Sequence, residues 1–238
     1  MASLAVSRKF PASALRLESR GVEYILRPLA VADAPKIVDA IEGSLGELKR
    51  FMPWAHAPQT LESQMERIAQ FLSPTASGAD FGFGLFDARN GHYLASLGLH
   101  GRLRLNPNAL EIGYWVRSSE AGRGLATLGS RALIVYAFEG LGSDRVQISH
   151  NPENVASQRV VEKCGFRFEG LVRNAMPAPS PQALEAGLSA VRSDPLYALL
   201  PEDRAELPWY AELRDRIRVE NALGEELGCI WRKGTAGA

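Results

Sequence analysis

EIGYWVRSSEAGRGLA, residues 111–126, holds the reading that decides the fold. Its first six residues mix aromatic, branched and small side chains as a strand does. Gly122 and Gly124 then mark a turn, and Leu125 and Ala126 open a long apolar helix, predicted over about 124–141. Strand, glycine turn and helix in that order leave several backbone amides open at the positive end of a helix dipole, which suits a pyrophosphate. Arg123 adds a guanidinium whose fork matches phosphate oxygens. The dinucleotide fingerprint is excluded, because Thr127 stands where its third glycine would be. No Gly-Lys-Ser or Gly-Lys-Thr follows a glycine loop, so a Walker loop is excluded as well.

A second stretch, NPENVASQRVVEKCGF at 151–166, reads as one well-punctuated helix. Asn151 can cap it, Pro152 fits the first helical position and Gly165 ends it. Asn154 and Ser157, three residues apart, share a face of its first turns and offer polar groups to a ligand between this helix and the preceding one.

Working outward, residues 81–116 have extended-chain periodicity in three runs, FGFGLFD, YLASLGLHG and ALEIGYWV, with the hairpin dipeptide Asn90-Gly91 between the first two. Three neighbouring antiparallel strands are expected. Upstream, VEYILRPL at 22–29 reads as a strand, followed by a helix from Asp33 to Gly43 and a loop carrying Phe51, Pro53, Trp54 and His56. Residues 60–72 read as a helix opened at Thr60, with Met65, Ile68, Ala69 and Leu72 on its apolar side. Downstream, strands are expected at 145–149 and 166–172, a Pro/Ala/Ser-rich excursion from Met176, a strand over 194–200 and a helix over about 202–223. The alternation of strand and helix after an antiparallel start implies an α/β (α+β) protein with a mixed, mostly antiparallel central sheet, flanked by helices, with a C-terminal helical extension. Residues 1–20 read as a partly disordered leader and 21–238 as a single domain.

Lysine plus arginine equals aspartate plus glutamate at 27 each, so nothing in the overall charge attracts nucleic acid or an anionic membrane. No apolar run approaches the roughly 20 residues of a membrane span. Cys164 and Cys229 make neither a disulfide framework nor a metal-ligand spacing, and read as buried fillers in a cytoplasmic protein.

The order of elements, EIGYWV leading into AGRGLA, the run NPENVASQRVVEKCGFRFEG, and the upstream RPLAVADAPKI and FMPWAHAPQT together resemble the GNAT acetyltransferase superfamily, most closely its RimJ/RimL-type branch, over about 22–200. The resemblance implies transfer of an acetyl group from acetyl-CoA to a primary amine by direct attack, with no metal. The family pattern Gln/Arg-x-x-Gly-x-Gly/Ala falls on Ala121, Gly124 and Ala126, so its first position departs here. It also implies a cofactor surface formed by Trp115, Val116, Gly122, Arg123, Gly124, Leu125, Ala126, Thr127, Asn154 and Ser157, with Ser157 protonating the departing thiolate. A base must deprotonate the amine. Glu111 is the first choice, since alternation puts it on one sheet face with Gly113 and Trp115, and His100 is the alternative. Trp54, His56, His100 and Glu111 would form the acceptor wall. The implied acceptor is a protein N-terminus of the ribosomal-protein kind. A small amine (antibiotic, polyamine or amino-acid derivative) and a non-catalytic acyl-CoA sensor stay open, the latter through Ala121, and a homodimer is a possible assembly.

Overall fold

The computed structural model describes residues 14–77, 80–101, 106, 108–175, 181–185, 187, 189, 193–221 and 225–228. Strands β1 (Ala14–Ser19) and β2 (Val22–Pro28) form a hairpin, so residues 14–19, expected within the leader, are ordered strand. Leu15 and Leu17 alternate into the core, which gives the short strand its hold. Residues 1–13 of the expected leader lie outside the described residues.

Helices α1 (Ala34–Glu42) and α2 (Leu45–Phe51), a 3-10 turn at Pro53–His56 and α3 (Leu61–Ser77) follow. Thr60 caps α3, its Oγ1 accepting the Ser63 amide at 3.1 Å. The inward stripe of α3 is Gln64, Arg67, Ile68 and Phe71 at helical spacing, while Met65 and Ala69, expected to face in, are exposed. Half of that stripe is polar because it faces a cavity, and polarity alone therefore misplaces the helix by part of a turn.

Next come β3 (Asp80–Asp87), β4 (Tyr93–His100) and β5 (Ala109–Val116), the antiparallel trio predicted around Asn90-Gly91. Helix α4 (Leu125–Val135) ends in a π turn at Tyr136–Gly140 and leads to β6 (Arg145–Ser149). Helix α5 (Val155–Cys164), β7 (Arg167–Val172), α6 (Pro181–Glu185) and β8 (Asp194–Leu199) complete this half. Asn154, rather than Asn151, is the cap of α5, since its Oδ1 accepts the Ser157 amide at 3.0 Å. Asn151 and Pro152 lie in the turn before it, where Asn151 Oδ1 accepts the Glu153 amide. Part of the excursion from Met176 lies outside the described residues.

Among the described residues ten strands join one sheet in the order β10-β9-β1-β2-β3-β4-β5-β6-β8-β7, where β9 is Arg218–Glu220 and β10 is Glu226–Gly228. Its parallel pair is β5 with β6, because β8 inserts antiparallel between β6 and β7. The helix expected over 202–223 is instead a 3-10 segment at Pro201–Glu206, a short α7 (Tyr210–Arg216) and then β9 paired with β1, and residues 222–223 lie outside the described residues. Pro208 interrupts the helical pattern, and Ile217 and Val219, both fully buried, alternate as strand residues do.

One face of the sheet packs on α4 and α7, with Tyr136 edge-on to Phe81 and Phe83 at 6.4 and 5.8 Å. Cys164 is buried there, its thiol pushed up to about 12 by burial, so it is a filler as expected; Cys229 lies outside the described residues. The other face is covered by α1, α2 and α3, with Ile37, Ile41, Ile68, Tyr93 and Trp115 in a second core. Each of the three isoleucines, fully buried, contributes about 1.5–3 kcal/mol. Among the described residues no helix is long and apolar enough to cross a membrane.

Candidate active site

Strands β5 and β6 pair only from Ala109 to Glu111 and from Arg145 to Gln147. Beyond these residues that pairing ends, and among the described residues β5 has no strand partner on its β6 side. A cavity of about 780 Å³ opens there, floored by β3, β4 and β5, walled by α3 and the Pro53–His56 turn, and bounded by the start of α5.

Strand register places two rows across its floor. The first runs Asp80, His100, Glu111, Gln147 through three successive strand pairs. Residues directly opposite share a face, so these four side chains stand together. His100 Nδ1 lies 2.6 Å from Asp80 Oδ1, and Gln147 Nε2 donates to Glu111 Oε2 at 3.0 Å. Since a carboxylate only accepts, the Asp80 contact puts the proton on Nδ1 and leaves Nε2 as an acceptor in the neutral ring. Gln147 is anchored in turn by Arg145, which holds Glu169.

The second row is Gly82, Gly98, Gly113, a bare furrow beside the first. His100 folds over it: a Cβ on Gly98 would stand 2.6 Å from His100 Nε2, and one on Gly113 3.4 Å. Phe71 lies against Gly82 and 6.2 Å from the His100 ring. The next row includes Trp115, wedged between Tyr93 at 5.8 Å and Trp54 at 6.1 Å.

On the α5 side, Ser157 is nearly buried and its Oγ lies 2.7 Å from the Tyr114 hydroxyl. Burial pushes Tyr114 up to about 12 against the opposing Ser157 hydrogen bond, so the phenol keeps its proton. Asn154 lines the same region of the cavity.

The glycine turn is exposed. Gly122 and Gly124 have φ of 78° and 81°, and nothing lies within 4 Å of where a Cβ would stand on either. Their positive φ, and not crowding, calls for glycine. The turn delivers the chain into α4, whose first amides have no acceptor within the helix. Arg123 is paired with Glu120, the Leu125 side chain is in the core, and Val116, Ala126 and Thr127 are half-buried. At this end the backbone is what faces outward.

Of the expected residues, Trp54, His100, Glu111, Trp115, Asn154 and Ser157 meet at the cavity. His56 is a correction: its Nε2 is 3.0 Å from the Lys49 carbonyl, where it terminates α2, and it does not line the cavity. Asp80, Tyr114, Gln147 and Arg67 were not anticipated. Their placement follows from cross-strand register and helix rotation, and no local motif marks them.

A family model described as an acetyltransferase (GNAT) domain matches residues 23–167. YdaF of Bacillus subtilis, named as a ribosomal N-acetyltransferase, is 31% identical over 156 residues, which are 63% of this chain and 81% of that protein. The structure of Mycobacterium smegmatis RimJ in complex with CoA-disulfide superposes with a TM-score of 0.69 at 24% identity, covering 84% of this chain and 91% of RimJ. A ribosomal-protein-S5-alanine acetyltransferase from Vibrio fischeri gives 0.67 at 19% identity, covering 79% and 97%. Both structural likenesses concern the fold.

Proposed function

This chain belongs to the GNAT acetyltransferase family, and from that premise we propose how its cavity acetylates an amine and which amine it takes. The protein is an acetyl-CoA-dependent N-acetyltransferase. Its residues fit that carrier: the open Gly122–Gly124 turn and the start of α4 present amides for a pyrophosphate, and the unpaired β5 edge beyond Glu111 offers backbone groups to an extended arm. Neither surface depends on a side chain at Ala121, so the departure there removes one contact and leaves the cradle. When bound, acetyl-CoA supplies an activated acetyl thioester.

The chain's own groups divide the work. His100 Nε2, held over the glycine furrow by Asp80, takes the proton from the attacking amine. Glu111, fixed by Gln147 in the facing position, draws the ammonium form into the site by its charge and is the alternative base. Ser157 Oγ–H donates to the departing thiolate, and the Tyr114 O–H donates to Ser157 Oγ in its place. The observation that carries this reading is the row Asp80, His100, Glu111, Gln147 beside the bare furrow.

The acceptor we propose is a peptide N-terminus of the ribosomal-protein kind, met in the cytoplasm. Supporting it are the likeness to YdaF and a cavity wider than a small amine needs. A screen by mass spectrometry across ribosomal proteins and small amines tests it, and exclusive labelling of small amines would overturn it. For the chemistry, thiol release is followed against pH for His100→Asn and Glu111→Gln. A kcat loss of about 10²-fold or more and a lost rising limb are expected for His100→Asn. An unchanged profile in that variant, with a changed one for Glu111→Gln, transfers the base to Glu111. Calorimetric binding of acetyl-CoA with no amine-dependent thiol release would make the protein a sensor.

A further inference from the structure

Acetyl transfer makes no use of Arg67, although it lines the acceptor end of the cavity. It stands on the inward stripe of α3 between Gln64 and Phe71, its guanidinium 5.0 Å from the centre of the Trp54 ring. By contrast, Arg27 holds Asp33 at 2.7 Å and Arg117 holds Asp39 at 2.8 Å, so those two arginines are neutralised. Among the described residues no carboxylate pairs with Arg67. Burial pulls its guanidinium down from the usual value, opposed only by the nearby Tyr93 hydroxyl. An arginine stays cationic under such conditions, so the cavity carries a partly desolvated positive charge that a bound anion would neutralise. At that distance the guanidinium makes a cation–π contact with the Trp54 ring, and the N–H groups of its fork can donate to a ligand in the cavity.

We propose that Arg67 is a specificity residue that binds a carboxylate of the acceptor, so that the preferred acceptor is a peptide with an acidic group close behind its N-terminus. This deepens, and rests on, the acetyltransferase reading of the same cavity. The spacing selects the class. Phe71 lies beside His100, and Arg67 is one helical turn earlier, about 6 Å along α3. Trp115, at the Arg67 end through Trp54, is four residues from Glu111 along β5, about 13 Å. The guanidinium is therefore on the order of 10 Å from the proton-accepting row. The carboxylate of a free α-amino acid shares a carbon with its amine and cannot reach both sites. An extended peptide advances about 3.3 Å per residue, so a carboxylate on its second or third residue spans the gap.

The test uses matched synthetic peptides: Ala-Glu-Ala-amide against Ala-Gln-Ala-amide, Ala-Ala-Glu-amide against Ala-Ala-Gln-amide, and Ala-Ala-Ala as free acid against its amide. The first two pairs report a side-chain carboxylate and the third a C-terminal one. Wild-type protein is expected to favour at least one acidic member by tenfold or more in kcat/KM, chiefly through KM. Arg67→Met should erase that preference and Arg67→Lys retain part of it, with thermal melts checking that both variants fold. Equal kcat/KM across every pair in the wild type, or a preference that survives Arg67→Met, overturns the proposal. Calorimetric titration of the same peptides in the presence of CoA separates this from the catalytic reading. If no peptide releases thiol but the acidic ones still bind more tightly and Arg67→Met abolishes the difference, the carboxylate site stands and the acceptor chemistry falls. Equal binding across every pair overturns the site itself.

Discussion

Glycine is used at both ends of this cavity, for opposite reasons. At the turn before α4, Gly122 and Gly124 stand in open space and are held at positive φ. On the floor, Gly98 is a strand residue beneath His100, and a Cβ there would stand 2.6 Å from the imidazole Nε2. The first pair shapes a backbone, and the second clears room for a side chain. Carrier binding at the turn should therefore respond to backbone strain, and catalysis on the floor to displacement of one ring. This difference also accounts for how the two halves handle their ligands: a phosphate cradle of amides needs few particular side chains, whereas taking a proton needs one nitrogen in one place.

The largest expected effect breaks the floor. Gly98→Ala pushes the His100 ring off its seat, and a displacement of about 1 Å at a catalytic group costs on the order of 10²-fold in rate. Steady-state kinetics should show kcat falling by that factor while KM for acetyl-CoA stays within about twofold of wild type. Full kcat in the Gly98→Ala enzyme would mean that the ring has another resting place and that the furrow does not position the base.

Ser157→Ala comes next. It removes the hydroxyl expected to donate to the thiolate, and since a coenzyme A thiolate is not a very poor leaving group the loss should be about tenfold in kcat, below the roughly 10²-fold of a positioned base. The pH profile sharpens the assignment. Tyr114 is held up at about 12 by burial, and a raised pKa keeps the proton on to higher pH, so the wild-type rate should rise with pH as the base loses its proton and show no alkaline fall due to Tyr114 below that value. An alkaline limb near pH 9 that disappears in Tyr114→Phe would contradict the buried, protonated phenol.

Gly124→Ala sharpens the other side of the comparison. An alanine held in the left-handed region costs about 1–2 kcal/mol, here without any clash. The turn should relax, raising KM for acetyl-CoA about fivefold or more for each 1 kcal/mol with kcat little changed. Equal losses in kcat and kcat/KM would show that the turn positions the thioester as well as the phosphates.

The same division separates what was legible in the sequence from what was not. The glycine turn, the Asn90-Gly91 hairpin and the end of a helix at Gly165 are written in adjacent residues, and the elements they punctuate appear as expected, except that α5 begins at Val155 behind Asn154 and not behind Asn151. Glu111 is the first choice of base from the sequence and His100 the alternative, yet nothing local shows that they face each other. Their meeting depends on the β4–β5 register, and that of His100 with Asp80 on the β3–β4 register, which shifts at Leu85/Phe86. Arg67 was hidden because a helix lining a cavity does not need an apolar stripe. The C-terminal segment misled for a related reason: residues 218–220 take strand form by pairing with β1, some 200 residues earlier, and such a partner overrides local helical spacing.

Asn154 joins the two modes of construction, and its variant is the smallest expected effect. Its Oδ1 accepts the Ser157 amide, so one side chain both caps α5 and fixes the turn that carries the proton donor. Asn154→Ala removes a cap worth about 1 kcal/mol, which lowers Tm by roughly 2–4 °C in a protein of this size. Asn154→Asp keeps an acceptor oxygen at the start of the helix and should restore most of that stability. Activity separates the two duties. If the cap positions Ser157, kcat falls in Asn154→Ala and recovers with Tm in Asn154→Asp. If Asn154 instead contacts the carrier through its amide N–H₂, Asn154→Asp recovers Tm alone and KM for acetyl-CoA stays raised, since a carboxylate has no N–H to donate.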